Sequence, residues 1–259
     1  MDEGTFHEKK LGEHPLMVQQ CNSYLEGLPV ECWHDNGDER HVEWASALEA
    51  GFEEVRAELL GVLENKRKME KANNAWVGPL AGEQVANAYG SQWKTLGLFD
   101  REEWDEDNMK LFPKTSALLH SSKVPMTEAL FAKMGAGSSI KAHSDMSNFV
   151  LTAHLGVDVP PNKCWLGVGD ERKYWENGKV MIFDTSVLHE AANEAEKDRY
   201  VLMLRVWHPE TTETERAAIQ FIFDCMADEA LVGTNEQVFA YPALAEQRGK
   251  YYKKMLRKL

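Results

Sequence analysis

A β sandwich or barrel with helices on both sides of it in sequence is the fold class this chain predicts, on three observations. After about Met126, short apolar runs alternate with turn-forming groups. From Ala45 to about Lys71, apolar residues recur at spacings of three and four. The same helical spacing returns from Thr214 to about Leu231.

Residues 1 to about 44 read as irregular, with Trp33, Trp44 and the polar run His34-Asp35-Asn36-Gly37-Asp38 marking a turn-rich start. Leu48, Phe52, Val55, Leu59, Val62 and Leu63 then share one face of an amphipathic helix, which Asn73-Asn74 and Gly78-Pro79 end. Residues 88 to 125 mix aromatic and turn residues. The predicted strands are Ala129–Ala132, Phe149–Leu155, Cys164–Val168, Val180–Phe183 and Tyr200–Trp207. Gly135-Ala136-Gly137, Pro160-Pro161-Asn162-Lys163 and Glu176-Asn177-Gly178-Lys179 separate them. A last helix is expected after Pro242.

At 259 residues, with 43% hydrophobic and 27% charged side chains, the chain can bury one substantial core. A net charge of −13 opposes binding to nucleic acid or an anionic membrane surface. The basic stretch from Arg248 to Leu259 reads as a helix end whose cations face the macrodipole and water. No apolar run is long enough to span a bilayer, and the polar start Met1-Asp2-Glu3 is not a secretory leader. Four scattered cysteines (Cys21, Cys32, Cys164, Cys225) suggest reduced, buried thiols. A cytoplasmic location is the resulting expectation.

The chemistry concentrates in His143-Ser144-Asp145, His189 and Arg199. Residues two apart on a strand face the same side, so His143 and Asp145 can address one metal, with His189 arriving from another strand. Two imidazoles and a carboxylate leave positions open on an iron(II) ion. His41-Val42-Glu43 and His208-Pro209-Glu210 offer the same His-x-carboxylate spacing, and each histidine alone reads as an ordinary half-buried side chain. Arg199, ten residues beyond His189, adds a two-pronged grip suited to a dicarboxylate. Period two places Arg199, Val201, Met203, Arg205 and Trp207 on one strand face. Either that face looks into a barrel, or it is the solvent side and both arginines are surface residues.

Longer stretches carry a resemblance. Ile140-Lys141-Ala142-His143-Ser144-Asp145, Leu151-Thr152-Ala153-His154-Leu155-Gly156-Val157, Trp175 through His189-Glu190, Arg199, and Val206-Trp207-His208-Pro209-Glu210 follow one another in order, with Phe112-Pro113-Lys114-Thr115 upstream. Together, over roughly residues 85 to 212, they resemble the aspartyl/asparaginyl β-hydroxylase family of iron(II)- and 2-oxoglutarate-dependent oxygenases. The resemblance implies an α+β fold with a double-stranded β-helix (jelly roll, cupin-like) core. It implies one catalytic domain over 1–259: a helical and irregular part to 125, the β-helix at 126–210 and a helical extension at 211–259. His143, Asp145 and His189 would bind iron(II), and Arg199 and His154 would hold the 2-oxoglutarate carboxylate, with oxygen as the second co-substrate. Animal protein hydroxylases of the family carry glycine where Asp145 stands, and lipid A hydroxylase relatives keep a carboxylate. The family's arginines near Val150 and Thr152 are missing, and Ala132 replaces a serine that helps hold the co-substrate.

The expected reaction is oxidation of an unactivated C–H bond in a small amino acid or amino-acid-derived metabolite, hydroxylation by default, with desaturation or cyclisation open. Ser147, Asn148, Arg205 and Trp93 are the candidate substrate contacts. β-Hydroxylation of Asp or Asn side chains in a cytosolic peptide or protein is the alternative. A catalytically silent β-helix binding module and a zinc hydrolase with the same ligands are the rivals. The substrate and the oligomeric state are not legible.

Overall fold

The apolar runs beyond Met126 become strands that the chain deals alternately to two sheets. The computed structural model describes residues 6–65, 88–89 and 92–227. One sheet holds β3 (Trp33–His34), β4 (Trp93–Asp100), β5 (Glu103–Trp104), β6 (Met126–Met134), β9 (Val150–Asp158), β12 (Val180–Phe183) and β14 (Arg199–Trp207), in the order β3-β12-β9-β14-β6-β4-β5. A second holds β7 (Ser138–His143), β10 (Cys164–Val168), β11 (Glu171–Tyr174) and β13 (His189–Asn193), in the order β11-β10-β13-β7. From β6 to β14 the chain thus passes back and forth between the sheets, which is the double-stranded β-helix. A third, small sheet joins β1 (His7–Lys10), β2 (Val18–Ser23) and β8 (Met146–Ser147), with β2 parallel to β8.

The larger sheet is covered on both faces. Leu130, Ala132 and Met134 of β6, and Val201 of β14, pack toward Ile140, Leu166, Val168 and Ala191 of the smaller sheet. The alternate residues Ala129, Phe131, Leu151, Ala153, Leu155, Leu202 and Leu204 pack against a helical layer. This is why β9 is buried at eight consecutive positions rather than at every second one. It also decides the orientation left open for β14: Arg199 is buried on the inward side, next to Val201 on the same face.

The helical layer is built from α1 (Val42–Ala50), α2 (Phe52–Glu64), α3 (Glu106–Leu111) and α4 (Pro113–Ser121), and α5 (Glu213–Ala227) follows the barrel. The single helix expected from Ala45 is broken at Gly51. There a Cβ would meet the Leu118 side chain of α4, which would have to shift, and glycine lets the two helices cross closely. Pro113 opens α4, where its missing N–H costs nothing. The Glu58 carboxylate of α2 accepts from the Lys114 and Thr115 N–H groups, each at 2.7 Å, and so caps α4 from a neighbouring helix. Asp105 caps α3 in the ordinary way, accepting from the N–H groups of Asp107 and Asn108.

The start of the chain is more ordered than its composition suggests. β1, β2 and β3 are short and lack an apolar period, and they owe their form to the strands they join: β3 to β12, β2 to β8. β4 also escapes sequence reading because its register slips between Gly97 and Phe99, which breaks the alternation. The expected helix after Pro242 and the basic C-terminal stretch lie outside the described residues. The described cysteines carry free thiols, two buried and two partly exposed. No helix among the described residues is long and apolar enough to cross a membrane.

Beneath α1 lie three buried histidines, His34, His41 and His208, with the His34 ring centroid 5.5 Å from that of His41 and 6.0 Å from that of His208. Burial, then the neighbouring His41 and His208, push the His34 pKa down to about 4, and burial lowers the other two. The folded state therefore refuses protons that the unfolded chain accepts. Stability is full above the unfolded value of 6.5 and falls as pH drops toward about 4. Denaturant unfolding at pH 7.5 and pH 5 is expected to show a loss of about 2 kcal/mol attributable to His34. In His34→Gln that component disappears; an unchanged slope would show that His34 is not buried in its neutral form.

Candidate metal centre

His143 closes β7 and His189 opens β13, and the two are direct partners in the antiparallel register. Their ring centroids are 4.2 Å apart. Each imidazole is aimed by its backbone. Nδ1–H of His143 donates to the Lys141 carbonyl at 2.8 Å, and Nδ1–H of His189 donates to the Val187 carbonyl at 2.9 Å. Fixing the proton on Nδ1 leaves the Nε2 lone pairs free as ligands. Asp145 lies just past β7 with Oδ1 3.6 Å from His143 Nε2. One ligand atom from each of the three lies within 4.8 Å of the others.

The two corners that carry the triad are tied together. Asp145 N–H donates to the Thr185 carbonyl, and the buried Ser144 hydroxyl lies within hydrogen-bonding reach of the Gln20, Thr185 and Ser186 carbonyls. β2 fastens both corners from outside. Gln20 N–H donates to Ser186 O, Leu188 N–H donates to Val18 O, and the Gln19 amide donates to the Ser186 hydroxyl. Asp184 accepts from the Ser186 N–H, and burial raises its pKa to about 6. The N-terminal segment is thus a clasp on the corners that carry the triad.

Charge is arranged to keep the triad ready for a cation. Burial lowers the His189 pKa to about 4, with His143 adding to the shift, so the ring is neutral at neutral pH. Burial would raise the Asp145 pKa, but Arg205, His189 and His143 together hold it well below the ordinary carboxylate range. His143 Nε2 is buried with no hydrogen-bond partner. An unpartnered lone pair between an imidazole and a carboxylate fits a divalent metal, which would satisfy all three groups at once.

One pocket joins the triad to Arg199 and His154, lined also by Trp93, Trp175, Phe183, Leu166 and Met203. Arg199 is 1% exposed, and its Nε and Nη1 have no partner. Its guanidinium lies 4.2 Å from the Trp175 ring centroid, and Nη2 donates to Met134 Sδ. Burial lowers its pKa to about 10, so it remains a cation. The Trp175 indole N–H donates to His154 Nδ1 at 3.2 Å. That bond puts the His154 proton on Nε2, which is itself buried without a partner. Arg199 and His154 therefore offer unfilled donors at one end of the pocket, which suits a carboxylate.

The structure brings five of the sequence-derived residues, His143, Asp145, His189, Arg199 and His154, around this pocket, with Trp93 at its edge. Three others sit elsewhere. Asn148 is buried and its amide clamps the Leu25 backbone, accepting at 2.8 Å and donating at 2.8 Å. Ser147 lies in β8 beside β2. Arg205 turns its guanidinium to Asp145 rather than to the pocket, because Asp145 is the buried anion nearest to it. Sequence reasoning passed over Tyr89, whose hydroxyl lies 3.3 Å from Asp145 Oδ1 and whose ring is 4.7 Å from that of His143. It gave no separate role to Trp175 or to Glu190 at the pocket edge. Tyr89 sits in an aromatic-rich stretch with no spacing that links it to a histidine.

Residues 49–209 match the family model described as aspartyl/asparaginyl beta-hydroxylase, and the chain belongs to that family. It is 29% identical over 219 residues to the human aspartyl/asparaginyl beta-hydroxylase, a match covering 82% of this chain and 27% of that protein. It is 31% identical over 221 residues to human aspartate beta-hydroxylase domain-containing protein 2, covering 82% of this chain and 57% of the relative. It is also 32% identical over 164 residues to the ornithine lipid ester-linked acyl 2-hydroxylase of Rhizobium tropici, covering 62% and 56%. The chain therefore spans between about a quarter and just over half of the length of these relatives.

A buried cation with unfilled donors should destabilise the ligand-free protein. Arg199→Met is expected to raise its unfolding free energy by about 1–3 kcal/mol, measured by denaturant unfolding. A loss of stability would show that Arg199 is already satisfied by Trp175 and Met134.

Proposed function

From this membership and this site we propose that the chain is an iron(II)- and 2-oxoglutarate-dependent oxygenase that hydroxylates a C–H bond of an amino acid or amino-acid-derived metabolite. One observation carries the reading: a two-histidine, one-carboxylate cluster opens onto the same pocket as a buried guanidinium with free donors. A hydrolase needs the cluster but has no use for the buried cation beside it.

His143, Asp145 and His189 would hold the iron, which when bound supplies the oxidation of the substrate C–H bond coupled to decarboxylation of 2-oxoglutarate to succinate and carbon dioxide. Arg199 takes the far carboxylate of 2-oxoglutarate in a charge-assisted grip, and His154 donates to it from Nε2. Trp175 keeps both groups aimed, by stacking on the one and fixing the tautomer of the other. Leu166, Phe183 and Met203 line the pocket with apolar surface and exclude water from it. At the edge, Tyr89 and Trp93 have ring centroids 4.4 Å apart. Such aromatic faces suit an ammonium group, which supports the amino-acid class. A second reading, β-hydroxylation of Asp or Asn in a peptide or protein, is favoured by the name of the human relative.

The test is incubation with iron(II), 2-oxoglutarate and a panel of free amino acids, peptides and amino-lipids, following succinate and substrate mass. Succinate with a mass gain of one oxygen atom is the expected result, and the panel member oxidised decides between the two readings. His143→Ala should abolish succinate formation, and Arg199→Lys should raise the 2-oxoglutarate concentration required about 10–100-fold by losing the two-pronged grip. Retention of full turnover by His143→Ala would sink the oxygenase reading.

A further inference from the structure

Arg205 is a second inward-facing arginine on β14, and its surroundings are the opposite of those of Arg199. Its Nη1 lies 2.7 Å from Asp145 Oδ2, 2.8 Å from Thr185 Oγ1 and 3.0 Å from Thr152 Oγ1. These partners come from the β7 end, the corner before β13, and β9, so three separate stretches of chain meet on one nitrogen. The two threonine hydroxyls are 3.5 Å apart, which closes the group. The pair is buried, with side-chain exposures of 19% for Arg205 and 7% for Asp145.

The contact is one-pronged. An arginine that serves only to neutralise a buried carboxylate commonly uses two parallel bonds, one to each oxygen. Here Oδ2 alone is taken. Oδ1 faces His143 Nε2 at 3.6 Å and accepts from the Tyr89 hydroxyl at 3.3 Å. The two oxygens have been given different tasks, and the one that Arg205 does not hold is the one that faces the histidines.

We propose that Arg205 is a positioning residue of the metal centre: by holding Asp145 Oδ2 it presents Oδ1 alone to the metal, and so makes Asp145 a one-oxygen ligand of fixed orientation. This rests on the metal-centre reading above. Thr152 and Thr185 hold the same Nη1 from the other side, which fixes where Oδ2 is held. A one-oxygen carboxylate leaves one more coordination position for a co-substrate than a two-oxygen one. The sequence bears the arrangement as a pair of distant residues, Asp145 and Arg205, joined across the sheets.

Cobalt(II) is the probe, since its visible d–d absorption reports ligand number and can be titrated without turnover. Arg205→Met is expected to weaken cobalt(II) binding about 10–100-fold and to change the d–d spectrum. Arg205→Lys, which keeps the charge and loses the planar fork, should fall between that variant and the parent. The decisive comparison is Asp145→Ala against Asp145→Ala/Arg205→Met, in which no buried carboxylate is left without its partner. If Arg205 acts through Asp145, the two bind cobalt(II) equally. A further loss in the double variant would show that Arg205 supports the fold independently and would overturn the proposal, as would a parent-like spectrum in Arg205→Met. A parent protein that takes up no cobalt(II) would overturn the metal-centre reading and this inference with it.

Discussion

The larger sheet has no solvent face, and the rest of the molecule follows from that constraint. With helices on one side and the smaller sheet on the other, the first eight residues of β9 and most of β14 must enter a packed layer. A polar or charged residue on either strand is then expensive unless it is partnered. β9 and β14 nevertheless place Thr152, His154, Arg199 and Arg205 on the inward face. That concentration of polar groups in one small volume is what makes a site possible there.

The two inward arginines show how partnering separates roles. Arg205 finds a carboxylate and two hydroxyls within 3.0 Å of its Nη1. Arg199 finds an indole face and a thioether, neither of which replaces the hydration lost by a guanidinium. The same residue type, six positions along one strand, is thus part of the framework at one end and an open grip at the other. The difference is written into the neighbouring strands: β14 pairs with β6 and β9, which bring Met134 beside Arg199 and Thr152 beside Arg205.

Around the triad, rigidity comes from segments that carry no catalytic residue type. β2 is bonded to the corner at residues 184–188 and, through Ser144, to the corner before Asp145. A stretch that reads as irregular in the sequence therefore fixes the spacing of His143, Asp145 and His189. Trp175 does comparable work at the other end of the pocket, where one indole both stacks on Arg199 and sets the proton of His154. Placing the two histidines at strand ends and holding their Nδ1 atoms by the backbone points their Nε2 atoms toward each other and toward Asp145.

What the sequence by itself determined is the set of strands beyond Met126, the helical stretches before and after them, and the ordered histidines, aspartate and arginine of the site. Those are legible because alternation and spacing are local and are written in consecutive residues. The helix break at Gly51, the strands β2 and β4, and the clasp on the ligand corners were decided only in three dimensions, since each depends on a partner far away in the chain. Arg205 shows the limit most clearly. Periodicity gives it the same face as Arg199 and hence an expected place at the substrate. Its task is set instead by Asp145, sixty positions earlier, because a buried guanidinium goes to the nearest buried anion and only the fold brings the two together.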